Sequence, residues 1–157
     1  MKRENLTDAL VQWVQDEGSK GTIPAFRMDH HVVIGRFPAQ MLTILNCADQ
    51  ELVTSVSVLE KMMFDHGISA TKLKSLHQTI CQPQQIYKSA THTTTSVVVV
   101  TMQNLSNKPI LIPIWLSKAG STGKAPVHWV SSGYVKDDPK IFSTWEAKGL
   151  LLWKQKT

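Results

Sequence analysis

The sequence is poor in the residues that build metal centres, disulfide frameworks and membrane spans. Its 157 residues include two cysteines, Cys47 and Cys81, whose spacing fits no metal site, so two buried free thiols are expected. The longest apolar runs, at 96–101 and 109–116, are of strand length and far below the ~20 residues of a membrane helix. The first residues contain no apolar signal-peptide core. A cytoplasmic protein without membrane contact is therefore expected.

Acidic residues are scarce in the second half of the chain. Residues 66–157 contain 11 Lys or Arg and 3 Asp or Glu, a balance of +8, whereas residues 1–65 contain 6 and 9, a balance of −3. The net charge of +5 therefore arises from the second half. A basic surface attracts phosphate backbones or anionic lipid, and it also serves plain solubility. This distribution favours nucleic acid as a partner.

The period of the hydrophobic pattern changes from about 3.6 to 2 near residue 83. Before this point the sequence predicts an extended piece at 31–34 and helices, which lie at 6–17, 38–45, 49–65 and 70–77. After it the sequence predicts one helix starting at 138 or 139 and strands, which lie at 86–90, 96–103, 109–117, 127–136 and 150–154. Strands joined by short loops are antiparallel neighbours. The expected fold is one α+β domain over residues 1–157, with a mostly helical part (1–83) and a basic, four- to five-stranded antiparallel sheet with one late helix (84–157).

A row of polar side chains is predicted on one face of the strand at 127–136. Because side chains alternate along a strand, His128, Ser132, Tyr134 and Lys136 share a face. An imidazole, a hydroxyl, a phenol and an ammonium in one row are typical of a functional surface, and also of a solvated strand face. Both interpretations stay open at this point.

The sharper interpretation of this row is RNA cleavage by attack of a ribose 2′-OH on its own phosphodiester. The reaction needs a proton acceptor, a proton donor for the leaving 5′-oxygen, and groups that stabilise the phosphorane. His128 and Tyr134 are the candidates for proton transfer, with Tyr134 better suited as acid or orienting group because its usual pKa is about 10. Ser132 and Lys136 are the candidates for holding phosphate oxygens. The reaction needs no metal, and neither a metal nor a cofactor is expected from the sequence.

A second polar cluster follows the predicted strand at 86–90. Lys88 and Ser89 point to opposite faces there, and Thr93 lies in the Thr/His run that comes next. Hydroxyls and backbone amides of such a run can bind phosphate, so Lys88, Ser89 and Thr93 are candidate substrate contacts. A Thr-rich hairpin is also typical of ordinary sheet surface.

Other aromatic and imidazole side chains receive structural interpretations from the sequence. His31 stands in no metal-ligand spacing and is expected at the surface. Trp115 and Trp129 are expected in the core rather than as base-stacking platforms.

Several short segments, taken in order, resemble a known family of phage domains. They are Ile34-Gly35-Arg36-Phe37-Pro38, Met63-Phe64-Asp65-His66-Gly67, Cys81-Gln82-Pro83-Gln84-Gln85-Ile86-Tyr87-Lys88-Ser89, the strand Ser96–Thr101, Lys108-Pro109-Ile110-Leu111-Ile112-Pro113-Ile114, Ser132-Gly133-Tyr134-Val135-Lys136-Asp137-Asp138 and Gly149-Leu150-Leu151-Leu152-Trp153. Together they resemble the toxin-type domain at the C-terminus of phage MuF-like head proteins, which is grouped with the barnase–EndoU–colicin–RelE-like (BECR) nucleases. The resemblance covers roughly residues 32–155.

The resemblance implies a metal-independent RNA-cleaving toxin on a BECR-like sheet preceded by N-terminal helices. RNA, either tRNA or mRNA, is the implied substrate, and an acidic immunity or antitoxin protein is the expected partner of the basic face. The run at 132–136 and the pair Lys88 and Ser89 occupy positions where such domains keep polar residues. Two alternatives remain: a catalytically inactive domain of this type that binds nucleic acid or a partner protein, and a structural module of a phage or mobile element.

Overall fold

The computed structural model of the protein describes residues 3–101, 108–119 and 124–156. Within these ranges the chain forms seven helices and nine strands, numbered in chain order. The helices are α1 (Asp8–Lys20), α2 (Ala25–Met28), α3 (Ala39–Leu45), α4 (Val56–Phe64), α5 (Ala70–Lys74), α6 (Leu76–Cys81) and α7 (Lys140–Ala147). The strands are β1 (Arg3–Asn5), β2 (His31–Arg36), β3 (Glu51–Ser55), β4 (Gln85–Lys88), β5 (Ser96–Thr101), β6 (Ile110–Lys118), β7 (Val127–Val130), β8 (Tyr134–Val135) and β9 (Leu151–Lys154).

All of these strands join one mixed sheet. Its order is β1-β2-β3-β7-β6-β5-β4-β9, and β8 pairs with β6. The pairs β1·β2 and β3·β7 are parallel, and the other neighbours are antiparallel. The sheet therefore combines strands from both halves of the chain.

The predicted four- to five-stranded antiparallel sheet behind N-terminal helices is wrong, because β1, β2 and β3 extend the sheet and two pairs are parallel. The segment at 49–65 was the main source of the error. Leu52, Val56 and Leu59 fit helical spacing, yet the chain is extended through Glu51–Ser55 and helical only from Val56. Four consecutive residues of β3 are buried, and a strand buried on both faces lacks the alternation that identifies a strand.

The predicted strand at 127–136 is also interrupted. It consists of β7 and β8, and residues 131–133 between them lie outside the ladder. Gly133 is buried there, and a Cβ on it would lie 3.2 Å from the side chain of Met62. The predicted polar row from His128 to Lys136 is therefore broken. The predicted turn at 104–108, the predicted loop at 119–125 and the end of the predicted strand at 96–103 lie largely outside the described residues.

Other local predictions are confirmed. The extended piece at 31–34 is part of β2, and the helix predicted at 6–17 is α1. The hydroxyl of Thr7 accepts a hydrogen bond from the backbone N–H of Leu10 at the start of α1. Gly21 ends the helix at a φ of 69°, a left-handed conformation that glycine adopts without strain.

The sheet has two differently covered faces. Residues of one face pack with the helices α1, α3, α4, α5 and α6 in the main core, among them Val32, Leu52, Ile112 and Val130. The alternate residues of β4, β5 and β6 face the other way, where Trp145 of α7 covers them. On this second face, α7 covers the part formed by β4, β5 and β6. The part formed by β2, β3 and β7 lies beside it and contains the cavity described below. Within the described ranges no helix is both long and apolar enough to cross a membrane.

Candidate functional site

A cavity of about 530 Å³ lies against β2, β3 and β7, within the usual size range of small-ligand sites. Its lining residues come from both halves of the chain, and they are Arg3, His31, Arg36, Asp49, Gln50, Glu51, Lys118, Ala119, Lys124, Ala125, Pro126, Val127 and Trp129. Trp129 alternates with the core-facing His128 and Val130 along β7. The cavity therefore lies on the sheet face opposite the main core.

Positive charge dominates the lining. Among the described lining residues the cations are Arg3, Arg36, Lys118 and Lys124, and the carboxylates are Asp49 and Glu51. Arg3 forms an ion pair with Glu51, and the Arg36 guanidinium lies 3.3 Å from the Asp49 carboxylate. Both pairs are partly exposed, so they hold the side chains in place rather than add much stability. The surplus charge comes from two lysines of the second half, and it suits an anionic ligand.

His31 is the imidazole of this cavity. Its ring centroid lies 5.4 Å from that of Trp129. Burial lowers the pKa of His31 from its ordinary value of 6.5, and the positive charges of Lys124, Arg3 and Lys118 lower it further. His31 is therefore mostly neutral at neutral pH, the state in which an imidazole can accept a proton. A bound anion would offset the neighbouring cations and raise the affinity of His31 for that proton.

Two tryptophans lie side by side at the cavity. Trp115 of β6 and Trp129 of β7 are directly paired across the strands, so their side chains are neighbours on one face. The Lys118 ammonium lies 4.8 Å from the ring centroid of Trp129 and 5.3 Å from that of Trp115. Trp115 keeps 43% of its surface exposed. The expectation that these two tryptophans belong to the core is wrong for Trp115, and Trp129 is half-buried in the cavity wall.

From the core side, His128 connects the segment before Lys118 with the segment before Asp49, and both of these residues line the cavity. Its side chain is fully buried. The backbone N–H of Ser117 donates to Nδ1 at 3.0 Å, so the proton lies on Nε2, which donates to the Ala48 carbonyl at 2.8 Å. Burial lowers the pKa of His128, and the bond to Ala48 acts in the opposite direction. With both nitrogens held by backbone groups, His128 fits a positioning role, and its predicted role in proton transfer does not fit this geometry.

The bond from Ser117 explains how Lys118 reaches the cavity. Ser117 has a φ of 52°, an uncommon value for a residue with a side chain, and it lies in the irregular stretch of β6 opposite β7. Its hydroxyl donates to the side-chain oxygen of Gln50 at 2.9 Å. His128 and Gln50 thus hold the bulge that directs the next residue, Lys118, over the rings of both tryptophans.

The other residues of the predicted polar row lie away from the cavity. Tyr134 pairs with Leu111 near the opposite end of β6 and packs beside the cluster under α7. Burial raises its pKa, and its ring centroid lies 6.1 Å from that of His66. Ser132 and Lys136 flank it, and the backbone N–H of Lys136 donates to Pro109. None of Ser132, Tyr134 and Lys136 lines the cavity, and His128 lies in the core.

The predicted substrate contacts lie in and after β4. Lys88 and Thr93 are exposed, and the hydroxyl of Ser89 accepts from the backbone N–H of His92 at 3.2 Å. This turn ends beside β6, because the N–H of Leu116 donates to the Thr95 carbonyl at 2.9 Å. The turn is thus a neighbour of Trp115 rather than of Tyr134.

The sequence contained weak signals for the cavity. Alternation assigned Trp129 to the strand face opposite His128, and that face turned out to line the cavity. His31, expected at the surface because it stands in no metal-ligand spacing, is partly buried, and its neighbours Lys118 and Lys124 are far away in sequence. The ladder β3·β7, which joins the two halves, has no local sequence signature. Metal ligands are not clustered either: within the described residues no group of three or more His, Cys, Asp and Glu lies together.

The comparison with protein families identifies the chain. The model of the phage MuF-C-terminal domain matches residues 57–157, which is more than half of the chain. Lys118, Lys124 and Trp129 lie inside the match, whereas Arg3 and His31 precede it. No curated protein and no solved structure matches the chain. The chain therefore belongs to the phage MuF-C-terminal domain family.

Proposed function

We propose that this domain is a metal-independent endoribonuclease of the toxin type, and that the cavity around His31 is its active site. The observation that carries the proposal is an imidazole with a lowered pKa in a cavity of about 530 Å³ whose described lining contains four cations and two carboxylates. The same proposal includes the BECR nucleases, with which this domain would share the activity of RNA cleavage. The predicted site at His128, Ser132, Tyr134 and Lys136 has weaker support, because His128 is sealed in the core.

The reaction would follow from the lining residues. His31 takes the proton of the ribose 2′-OH while the 2′-oxygen forms a bond to phosphorus. The bond from phosphorus to the 5′-oxygen breaks, and that oxygen takes a proton from a lysine ammonium or from water. Arg3, Lys118 and Lys124 stabilise the extra negative charge of the phosphorane. The products are a 2′,3′-cyclic phosphate and a free 5′-hydroxyl.

The test is cleavage of labelled tRNA and total RNA in EDTA by the wild type and by two matched pairs of variants. His31→Gln should lower the rate by about 10²–10⁴-fold, the usual contribution of general acid–base catalysis. His66→Gln alters an exposed imidazole after the end of α4, outside the cavity lining, and should leave the rate unchanged. Lys118→Ala should lower the rate strongly, whereas Lys136→Ala should not.

The same assay separates the cavity from the group around Tyr134. Loss of cleavage in Tyr134→Phe or Lys136→Ala, with His31→Gln still active, would contradict the cavity as the active site. The rate should also fall on acidification below about pH 6.5, because the pKa of His31 lies below that ordinary value and protonation removes the acceptor. An acidic immunity protein that covers the cavity should abolish cleavage.

A non-cleaving domain that binds RNA is the second candidate. The observation that favours it is the lining itself: its described part offers one imidazole, so the acceptor and the donor of this reaction cannot both be imidazoles, and a lysine or water has to serve as the donor. RNA that stays intact at micromolar protein, yet binds in the cavity, would support this second function.

A further inference from the structure

The paired tryptophans at the cavity mouth, Trp115 and Trp129, bear on whether the site takes single-stranded or double-stranded nucleic acid. Trp129 lines the cavity, and Trp115 continues its aromatic surface outside the lining. A contiguous exposed apolar patch marks a binding site more often than a single exposed side chain does, and here the two indoles are paired side by side. Aromatic side chains of this kind stack on unpaired bases in proteins that bind single strands.

We propose that Trp129 and Trp115 stack two successive unpaired bases, and that the site therefore accepts single-stranded RNA and rejects duplex. This inference rests on the proposed function, since it names the form of substrate that the same cavity takes. Lys118 supports it through its position. Its ammonium lies over the rings of both tryptophans, within 5.3 Å of each centroid. A stacking base takes the place of the ammonium on the ring, and the displaced ammonium binds the phosphate beside that base.

The surroundings extend the path beyond the two rings. On one side the His31 ring contacts Trp129, so a base on Trp129 brings its ribose towards the proposed proton acceptor. On the other side the turn with Ser89 and Thr93 lies beside Trp115. A single strand would cross β2, β7 and β6 in this direction. A duplex keeps its bases stacked on each other and has no free base face for an indole.

The exposed Trp115 is the residue to change, because its loss should not disturb the core. Trp115→Ala should weaken binding of a fluorescently labelled single-stranded 2′-O-methyl RNA by about five- to a hundredfold, the usual range for one stacked base. This probe lacks the attacking hydroxyl, so anisotropy reports binding without cleavage. Trp115→Phe should restore most of the affinity. Phe26→Ala removes an aromatic ring that is 74% exposed on α2, and it should leave binding unchanged.

The same strand annealed to its complement should bind wild-type protein at least about tenfold more weakly than the single strand. Equal affinity for duplex, or full affinity of Trp115→Ala for the single strand, would overturn the stacking inference. If Trp115→Ala cleaves natural RNA at the wild-type rate and affinity, the stacking inference is wrong and the nuclease proposal is retained. If single-strand binding depends on Trp115 but no RNA is cleaved, the nuclease proposal is wrong and the stacking inference is retained. A protein that binds neither probe nor natural RNA would contradict both.

Discussion

The side chain of His128 provides a sharp test of how the cavity walls are held. His128→Phe keeps a flat ring beside Phe37, whose ring centroid lies 5.2 Å away, and removes both ring nitrogens. The N–H of Ser117 then loses its acceptor, and the carbonyl of Ala48 loses its donor. The variant therefore measures these two bonds with the packing largely retained.

The expected cost follows from the two orphaned backbone groups. A buried donor or acceptor without a partner costs about 1–3 kcal/mol. Ser117 and Ala48 are themselves exposed residues, so water replaces part of the lost bonding. We expect the free energy of unfolding to fall by about 2–3 kcal/mol, towards the lower end of the sum.

The pH dependence gives the prediction a sign. Because the pKa of His128 is lowered in the folded protein, the unfolded chain binds more protons between that value and the ordinary 6.5. Stability should therefore be fully present above pH 6.5 and fall as the pH drops through this window, by at most about 1.4 kcal/mol per pH unit for one proton. His31 contributes in the same direction. The His128→Phe variant should keep the part of the slope due to His31 and lose the part due to His128.

Urea unfolding of wild type and variant at several pH values between 5 and 8 measures both quantities. His92→Phe is the matched control, because His92 is exposed in the turn after β4, and it should stay within about 0.5 kcal/mol of wild type. A His128→Phe protein as stable as wild type, with the same pH slope, would refute the assignment of His128 as the residue that holds the walls.

Two further predictions concern the framework of the site. Gly35→Ala should lower the melting temperature by about 2–12 °C, which corresponds to about 1–3 kcal/mol, because a Cβ would lie 2.7 Å from the His77 ring and φ is +151°; an unchanged melting temperature would contradict this. Tyr87→Phe should leave the free energy of unfolding at pH 8 unchanged or raise it by up to about 1 kcal/mol, because the buried hydroxyl has no hydrogen-bond partner among the described residues. Burial raises the pKa of Tyr87 to about 12, so wild type should also lose stability above pH 10 by a contribution that the variant lacks; urea unfolding at pH 8 and 10.5 tests both points.

Local structure could be predicted where a local rule decides it. Thr7 and Gly21 bound α1 as capping residues do, and the β-branched run of β5 forms the expected strand. β3 could not be predicted in this way, since Leu52 and Val56 satisfy a helical pattern whatever the backbone does. Its extended form depends on β2 and β7, which lie on either side of it, and neither neighbour is near in sequence.

The cavity could not be predicted from a local rule either. Polar residues at period-two spacing on one strand, such as His128 and Ser132, predict a shared functional face. Alternation along a strand, however, shows only that two residues share a face of the sheet. It does not show whether that face is covered by water or by the core. Here the core covers His128, so its apolar neighbour on the chain, Trp129, lines the cavity instead.

The position of β7 explains why the cavity needs both halves of the chain. β7 lies between β3, to which it is parallel, and β6, to which it is antiparallel. It carries His128 towards the core, where the ring holds Ala48 and Ser117, and Trp129 towards the cavity. The hydroxyl of Thr54 in β3 also donates to the Val130 carbonyl at 2.9 Å. A chain that begins at residue 57, the start of the family match, would keep Lys118, Lys124 and Trp129 but lose β3, one of the two ladder partners of β7. The lysines would then face solvent without His31, so any chemistry that needs a proton acceptor beside them depends on the segment that precedes the match.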